Sequence, residues 1–520
     1  MNIFTAIFTK IREAFRRMIP YKSIEQAERI ESPISTEMAT ALDRWHQLYL
    51  DKASWLGGEA NVQSLNLPAF VCSEVARQVL LEMQWNITGK DANGETQDAN
   101  GEIVMNPRAE YLKAEFEKLV PVLRQKLEQA CAAGGMVIKP YQVDGHIYFD
   151  FAMDWGIYPM AFDDDGKLSD VVIPDVFVEG KTFYTRLERH RITKDGVEIT
   201  QRAFKSNMRD NLGTEISLDE VERWRGVEKE AKVPDTEGAL FGWFKVATAN
   251  AVDVDSPLGA AVFAKAEKVI QQADLQYSRI LWEYEGSELA IDVDPSALRP
   301  RVGADGKMEM PHLKERLFRA VDIDKGDRDL YEPYAPQIRD ASLFNGLNQI
   351  LMRVEDLCGL SRGTIADANM EARTATEMKI VKQRSYATIA DNQAALEICL
   401  KDVVRAMDKY ATIYGLAPEG DYDVSFEWDD SILTDTEQQT QERLMLLNAG
   451  IISKAEFRQW YMGETQAQAK AAIEAIDQEK VDAMNSMNSL LPRLKGEAGN
   501  EPEEPEEPEM PVQRGKEPQE

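Results

Sequence analysis

Apolar positions along this chain recur at helical spacing in some stretches and alternate in others, and the switches mark out the elements. From Ser256 to Tyr414 the spacing is mostly helical. Ser256-Pro257 predicts a cap followed by proline at the first helical position, where its missing N–H costs nothing. Leu258, Val262, Ala266, Val269, Ile270, Ala273, Tyr277, Ile280, Leu281 and Tyr284 follow at helical spacing up to Gly286. Leu289 to Val293, Lys307 to Met310 and Leu317 to Ile323 predict short strands around an Asp305-Gly306 turn, a small module held between two helices. The returning helix is Ser342 to Cys358, with Leu343, Leu347, Ile350, Leu351, Val354 and Leu357 on one face and Gly359 as its stop. After a polar loop, Thr374-Ala-Thr-Glu377 reads as a capping box, and neither glycine nor proline interrupts Ala375 to Tyr414. At 1.5 Å per residue that is a rod of about 60 Å.

Upstream, Ser35 to Leu50, Leu67 to Gln84 and Pro107 to Ala133 predict helices, the last stopped by Gly134-Gly135. Asn93-Gly94 and Asn100-Gly101 mark loop tips between them. From Met136 the period is two. Val137-Ile138, Tyr148 to Phe151, Val171 to Ile173, Val176 to Val178, Phe183 to Leu187 and Val197 to Ala203 predict short strands. Turns at Asp144-Gly145, Asp165-Gly166 and Asp195-Gly196 make this an antiparallel, half-solvated β region. Asn207 to Thr236 is polar and reads as an exposed excursion. Tyr422 to Trp428 alternates as a strand, and Asp435, Ser453 and Thr465 open three short helices, the first two closed by Gly450 and Gly463. Beyond Leu494, the Glu501-Pro-Glu-Glu-Pro-Glu-Glu-Pro run repels itself and predicts disorder. The fold class is α+β.

Charge changes the picture more than composition does. With 60 basic and 90 acidic residues the net charge is −30, the wrong sign for a protein that grips phosphates across its whole surface. Solubility explains an acidic balance; so does a need for nucleic acid to pass without sticking. Cys72, Cys131, Cys358 and Cys399 form no CxxC pair and read as small apolar residues in a reducing compartment. No run of eighteen apolar residues exists to span a bilayer. Met1 to Ile19 is amphipathic and basic, with Ile3, Phe4, Ile7, Phe8, Ile11 and Phe15 opposing Lys10, Arg12, Arg16 and Arg17; it reads as a docking arm or as an interfacial helix.

Catalytic patterns are missing. There is no GxGxxG after a strand and no HExxH. Gly180-Lys181-Thr182 imitates the end of a phosphate loop, but Asp175 stands where the first glycine belongs. Gly359-Leu-Ser-Arg-Gly363 matches GxSxG, yet a helix leads in where a nucleophile elbow needs a strand. His46, His146, His190 and His312 fall in separate segments without ligand spacing. Asp163-Asp164-Asp165-Gly166 lacks the alternating ligands of a calcium loop and reads as a turn. The expectation is a non-enzyme without cofactor or metal.

Taken together, Gly359-Leu-Ser-Arg-Gly-Thr364, Thr374-Ala-Thr-Glu377, the long helix behind them and Asn448-Ala-Gly-Ile-Ile-Ser-Lys-Ala-Glu456 resemble the portal proteins of tailed bacteriophages, most of all the siphophage type. That resemblance implies a ring, typically of twelve subunits, at one capsid vertex of the virion, assembled in the host cytoplasm. Double-stranded DNA would be packaged and ejected through it. Its partners would be the large terminase subunit, scaffolding and major capsid proteins, and later the head–tail adaptor, with no membrane. Carried onto this chain, residues 1–255 would form the wing, 256–285 and 338–360 the stem helices, and 286–337 the clip. Residues 361–374 would be the tunnel loop, 375–430 the long wing helix and return strand, 431–480 the crown, and 481–520 an acidic tail. The loop residues expected to face DNA are Arg362, Asp367, Asn369, Met370, Glu371 and Arg373. Two competing readings are a peripheral membrane scaffold anchored by residues 1–19 and a metal-dependent nuclease built from unassigned carboxylates.

Overall fold

In the computed structural model of the chain the described residues are 19–495, apart from 59–60, 82, 92–93, 97–103, 294–300, 303–307, 310–317, 321–330, 368–374, 429–435 and 464–465. They fall into two compact units, Met1–Leu433 and Thr434–Glu520.

The first unit opens with α1 (Tyr21–Glu28), α2 (Thr36–Tyr49) and α3 (Leu67–Leu80). Ser35 caps α2, its Oγ accepting from the Met38 N–H at 3.1 Å. The predicted helix to Gln84 stops at Leu80, because Met83–Gly89 leaves as β1 to pair antiparallel with the strand Tyr422–Trp428. The single helix expected from Pro107 to Ala133 is two, α4 (Pro107–Phe116) and α5 (Val120–Ala133). Pro121 breaks it: proline has no N–H for the Glu117 carbonyl, and its ring crowds that carbonyl. Gly134, at φ 90°, closes α5 in the left-handed conformation.

A run of strands follows: β2 (Gly135–Val143), β3 (His146–Met153), β4 (Tyr158–Phe162), β5 (Leu168–Glu179), β6 (Thr182–Thr193), β7 (Gly196–Ser206), β8 (Thr214–Ile216), β9 (Glu230–Pro234) and β10 (Gly242–Lys245). They make two antiparallel sheets, β10-β2-β3 and β4-β5-β6-β7-β8, with β9 also paired to β7. The two short strands expected around Val171–Ile173 and Val176–Val178 are one, β5, which runs through Pro174. β4 pairs no further along β5 than Val172, so the proline has a neighbour on one side only and no lost ladder bond.

The larger sheet is covered on both faces, not half solvated. On one, Ile19 and Ile24 pack against Tyr158, Met160, Val172, Leu187 and Phe204. On the other, Val137, Ala152, Val171, Ile173 and Phe241 knit the two sheets together. Between the sheets lies a buried ionic cluster. Arg186, Glu188 and His190 alternate along β6 and so share a face. Lys139 of β2 and His190 approach the same Glu188 oxygen at 2.6 and 2.7 Å, and Arg186 lies 3.6 Å from both Glu188 and Asp175. Burial pushes the Glu188 carboxyl up, but Lys139, His190 and Arg186 outweigh it and hold the group well below the usual carboxylate range.

Residues 207–236 are largely exposed, as expected, yet they are not a bare loop. β8 and β9 extend the sheet, and Leu218, Val221, Trp224 and Val227 bury a small core with Ala203, Phe177 and Tyr184. Their spacing of three is the period of the 3₁₀ turns Leu218–Glu220 and Glu222–Trp224. That period is neither the 3.6 of an α-helix nor the 2 of a strand.

The helix expected from Ser256 begins later, as α6 (Glu267–Gly286) behind a 3₁₀ turn at Ala264–Ala266. Residues 258–263 are buried against the end of α5, where the Val262 N–H donates to the Cys131 carbonyl at 3.0 Å. A β-carbon on Gly259 would strike the Gly134 carbonyl oxygen, so the two backbones touch. Tertiary hydrogen bonds here replace the helical ones that Ser256-Pro257 seemed to start.

Between the helices come β11 (Ala290–Val293), β12 (Arg301–Val302), β13 (Met308–Glu309), β14 (Phe318–Ala320) and β15 (Tyr331–Tyr334). β11 pairs parallel with β14 and antiparallel with β15, while β12 and β13 pair with each other. The Asp305-Gly306 turn lies outside the described residues. α7 (Asp340–Cys358) returns, and α8 (Ala375–Tyr414) runs the predicted forty residues, its Thr374 cap lying outside the described residues. α8 is no free rod: Leu396, Cys399, Leu400, Val403, Val404, Met407 and Tyr410 are fully buried in the main core. β16 (Tyr422–Trp428) closes the unit by pairing with β1. All four cysteines are buried and free, and burial pushes their thiols up, so none is a reactive thiolate.

The second unit is α9 (Thr436–Asn448), α10 (Lys454–Met462) and α11 (Gln466–Lys495). The Ser453/Glu456 capping box forms in both directions, at 3.2 and 2.6 Å. α11 corrects the expectation of a short third helix and a tail from residue 481. No glycine or proline occurs between Gln466 and Leu491, and alanine, glutamine, glutamate and methionine favour helix throughout. The glutamate–proline run lies outside the described residues.

Candidate nucleic-acid-facing loop

α6 and α7 lie antiparallel. Gln276 Nε2 donates to the Leu343 carbonyl at 3.3 Å, and Arg339 grips the Glu283 carboxylate with two nitrogens at 3.0 and 2.7 Å. Near its start α6 is fastened to the segment before α3. Asp274, buried, accepts from Trp55 Nε1 and the Leu65 N–H, each at 2.9 Å. Burial pushes its carboxyl up, and those two bonds pull it only part of the way back.

At the other end of the pair the chain turns at Gly359, φ 70°, and does not run straight out. It doubles back along α7. Glu355, fully buried, accepts from the N–H groups of Gly363 at 3.1 Å, Ile365 at 2.5 Å and Ala366 at 2.8 Å. One position on, Asp367 exchanges two bonds with Asn348: its N–H donates to Asn348 Oδ1 at 2.8 Å, and Asn348 Nδ2 donates to its carbonyl at 2.9 Å. Asn348 and Glu355 are seven residues apart, hence on one face about 10 Å apart along the axis. Residues 361–367 therefore descend two turns of α7.

Of the predicted loop residues, Arg362 is exposed but already paired, 3.1 Å from Asp356, and Asp367 is exposed with its backbone pinned. Asn369, Met370, Glu371 and Arg373 lie outside the described residues. Neither Glu355 nor Asn348 was singled out by sequence. The signal was there for Glu355, a carboxylate on the apolar stripe between Leu351 and Cys358.

The other candidate chemistry resolves into structure. Gly180-Lys181-Thr182 is the β5–β6 hairpin turn, with Gly180 at φ 63°. Asp163 Oδ1 accepts from the N–H groups of Asp165 and Lys167 at 3.1 and 2.7 Å, which makes the acidic run a turn. His46 packs on Trp155 and His146 meets Glu115 at 3.0 Å; His312 lies outside the described residues. Among the described residues no group of three or more histidine, cysteine, aspartate or glutamate side chains stands where it could hold a metal ion.

The site thus consists of an antiparallel helix pair with a strand module at one end, and a doubled-back loop followed by a forty-residue helix at the other. A family model described as phage portal protein, SPP1 Gp6-like, matches residues 84–485, more than three quarters of the chain and everything from β1 into α11. The chain belongs to the phage portal proteins. Comparison with curated proteins returned no match. A portal protein is a virion component that forms a homo-oligomeric ring at a capsid vertex, serves genome packaging and connects head to tail; the family is structural and not enzymatic. The membrane-scaffold alternative gains nothing from this match. Of its anchor, residues 1–19, all but Ile19 lie outside the described residues, and among those described no helix is long and apolar enough to cross a membrane.

Proposed function

We propose that α6 and α7 are the stem of the portal subunit, that residues 286–337 are the clip, that 361–374 form the tunnel loop, and that α9–α11 are the crown. Residues 19–255 with α8 and β16 would make the wing. Twelve copies would close the ring. The clip would meet the terminase, which supplies the nucleotide chemistry, and afterwards the head–tail adaptor. Scaffolding and major capsid proteins would grip the wing.

The observation that carries this reading is the α6/α7 pair with its loop. Leu281, Trp282 and Tyr284 of α6 and Phe344 of α7 stand exposed, Trp282 by 67 %, as apolar side chains do when a neighbouring copy covers them. An acidic subunit lets a polyanion slide, where a basic lining would hold it. Arg362 fits that rule, since Asp356 already neutralises it.

Replacing Arg362 and Arg373 together by alanine should leave closed rings intact in electron micrographs and change the amount of DNA packaged or retained. Loss of the rings would make the loop a structural connection and contradict the assignment.

A further inference from the structure

We infer that Glu355 is the positioning residue of the tunnel loop, fixing where the chain departs from α7; the inference rests on the assignment of residues 361–374 to the channel. A connection of sixteen residues between two helices has no reason of its own to run back along one of them. Here the buried carboxylate gathers three backbone N–H groups within four residues, and a carboxylate is the side chain that accepts several such bonds without donating any. Gly363, at φ 92°, makes the turn that aims them inward, a conformation L side chains resist. Asn348 then takes Asp367 in a reciprocal pair two turns lower. Residues 363–367 are thus fastened along α7 by their backbone, and every subunit of a ring would hold this stretch at the same height. Glu355 touches no DNA in this account. It acts by holding backbone.

The test uses purified rings of the full chain under brief trypsin treatment, with cleavage after Arg362 followed by mass spectrometry, and in parallel a DNA-packaging assay. In E355Q one side-chain nitrogen faces the backbone donors. Cleavage after Arg362 should quicken at least tenfold, roughly the factor for one lost charge-assisted bond when local opening precedes the cut. Packaging should fall several-fold while ring size is unchanged. If E355Q does not assemble, G363A disturbs the same turn from the loop side without touching α7 and carries the same expectation. Unchanged cleavage after Arg362 in the variant that assembles overturns the role of Glu355. Faster cleavage with normal packaging supports the anchor and instead sinks the channel assignment.

Discussion

Replacing Lys139 by methionine should destabilise the two-sheet body by about 3–5 kcal/mol, the usual cost of removing one partner from a fully buried ion pair. Lys139 and Glu188 are both shielded from solvent, and the pair bridges β2 in one sheet and β6 in the other beside the apolar contacts there. Without Lys139 the carboxylate keeps His190 at 2.7 Å but meets Arg186 only at 3.6 Å, too long for a good hydrogen bond. Urea unfolding followed by tryptophan fluorescence measures the effect. The double variant Lys139→Met/Glu188→Leu should recover much of the loss, because an apolar pair needs no compensation. A change below about 0.5 kcal/mol in the single variant, the level of an ordinary surface substitution, would show that the ion pair adds nothing to the apolar packing that joins the sheets. Acidity adds a check. The folded Glu188 value lies below the ordinary 4.5, so its contribution is present above about that pH and is lost as pH falls through the lowered value. The stability gap between wild type and Glu188→Gln should stay level from neutrality to about pH 4.5 and shrink below it.

The second large effect belongs to Gly259. Its backbone lies on that of Gly134, and a side chain there would have to push the Gly134 carbonyl aside, a rigid neighbour at the helix stop. Gly259→Val should cost about 3 kcal/mol, at the upper end for overpacking, since backbone yields less than a flexible side chain. It should also loosen the approach to α6, because residues 258–263 lead directly into that helix. Thermal unfolding reads the stability. Hydrogen exchange at Val262, whose N–H is bonded to the Cys131 carbonyl, reads the local opening. Valine accepted without loss of protection at Val262 would contradict the close contact.

Local patterning made much of this fold readable. Ser35, Ser453 with Glu456, Gly134, Gly359 and Gly463 stop or start helices where their chemistry says they should, because caps act within one turn. Unbroken α8 was legible for the same reason: nothing in forty residues interrupts it. What failed was whatever depended on distant partners. β1 reads as the tail of a helix until Tyr422–Trp428 is there to pair with it, and residues 258–263 read as a helix until Gly134 is known to touch Gly259. Both faces of the central sheet are covered, and alternation along β6 could not distinguish a solvated row of Arg186, Glu188 and His190 from a buried one that Lys139 compensates. The loop was legible as a loop, but its path was not. That path is set by Asn348 and Glu355, and seven-residue spacing on a helix announces itself only when something lies along it.

Imaging the assembled protein by cryo-electron microscopy addresses the central claim most directly. Closed rings of identical subunits should appear, with an axial opening wide enough for a DNA duplex and a bore that is not strongly positive. A strict monomer at micromolar concentration under assembly conditions, or a ring whose axis is sealed or lined with unpaired basic side chains, would contradict it.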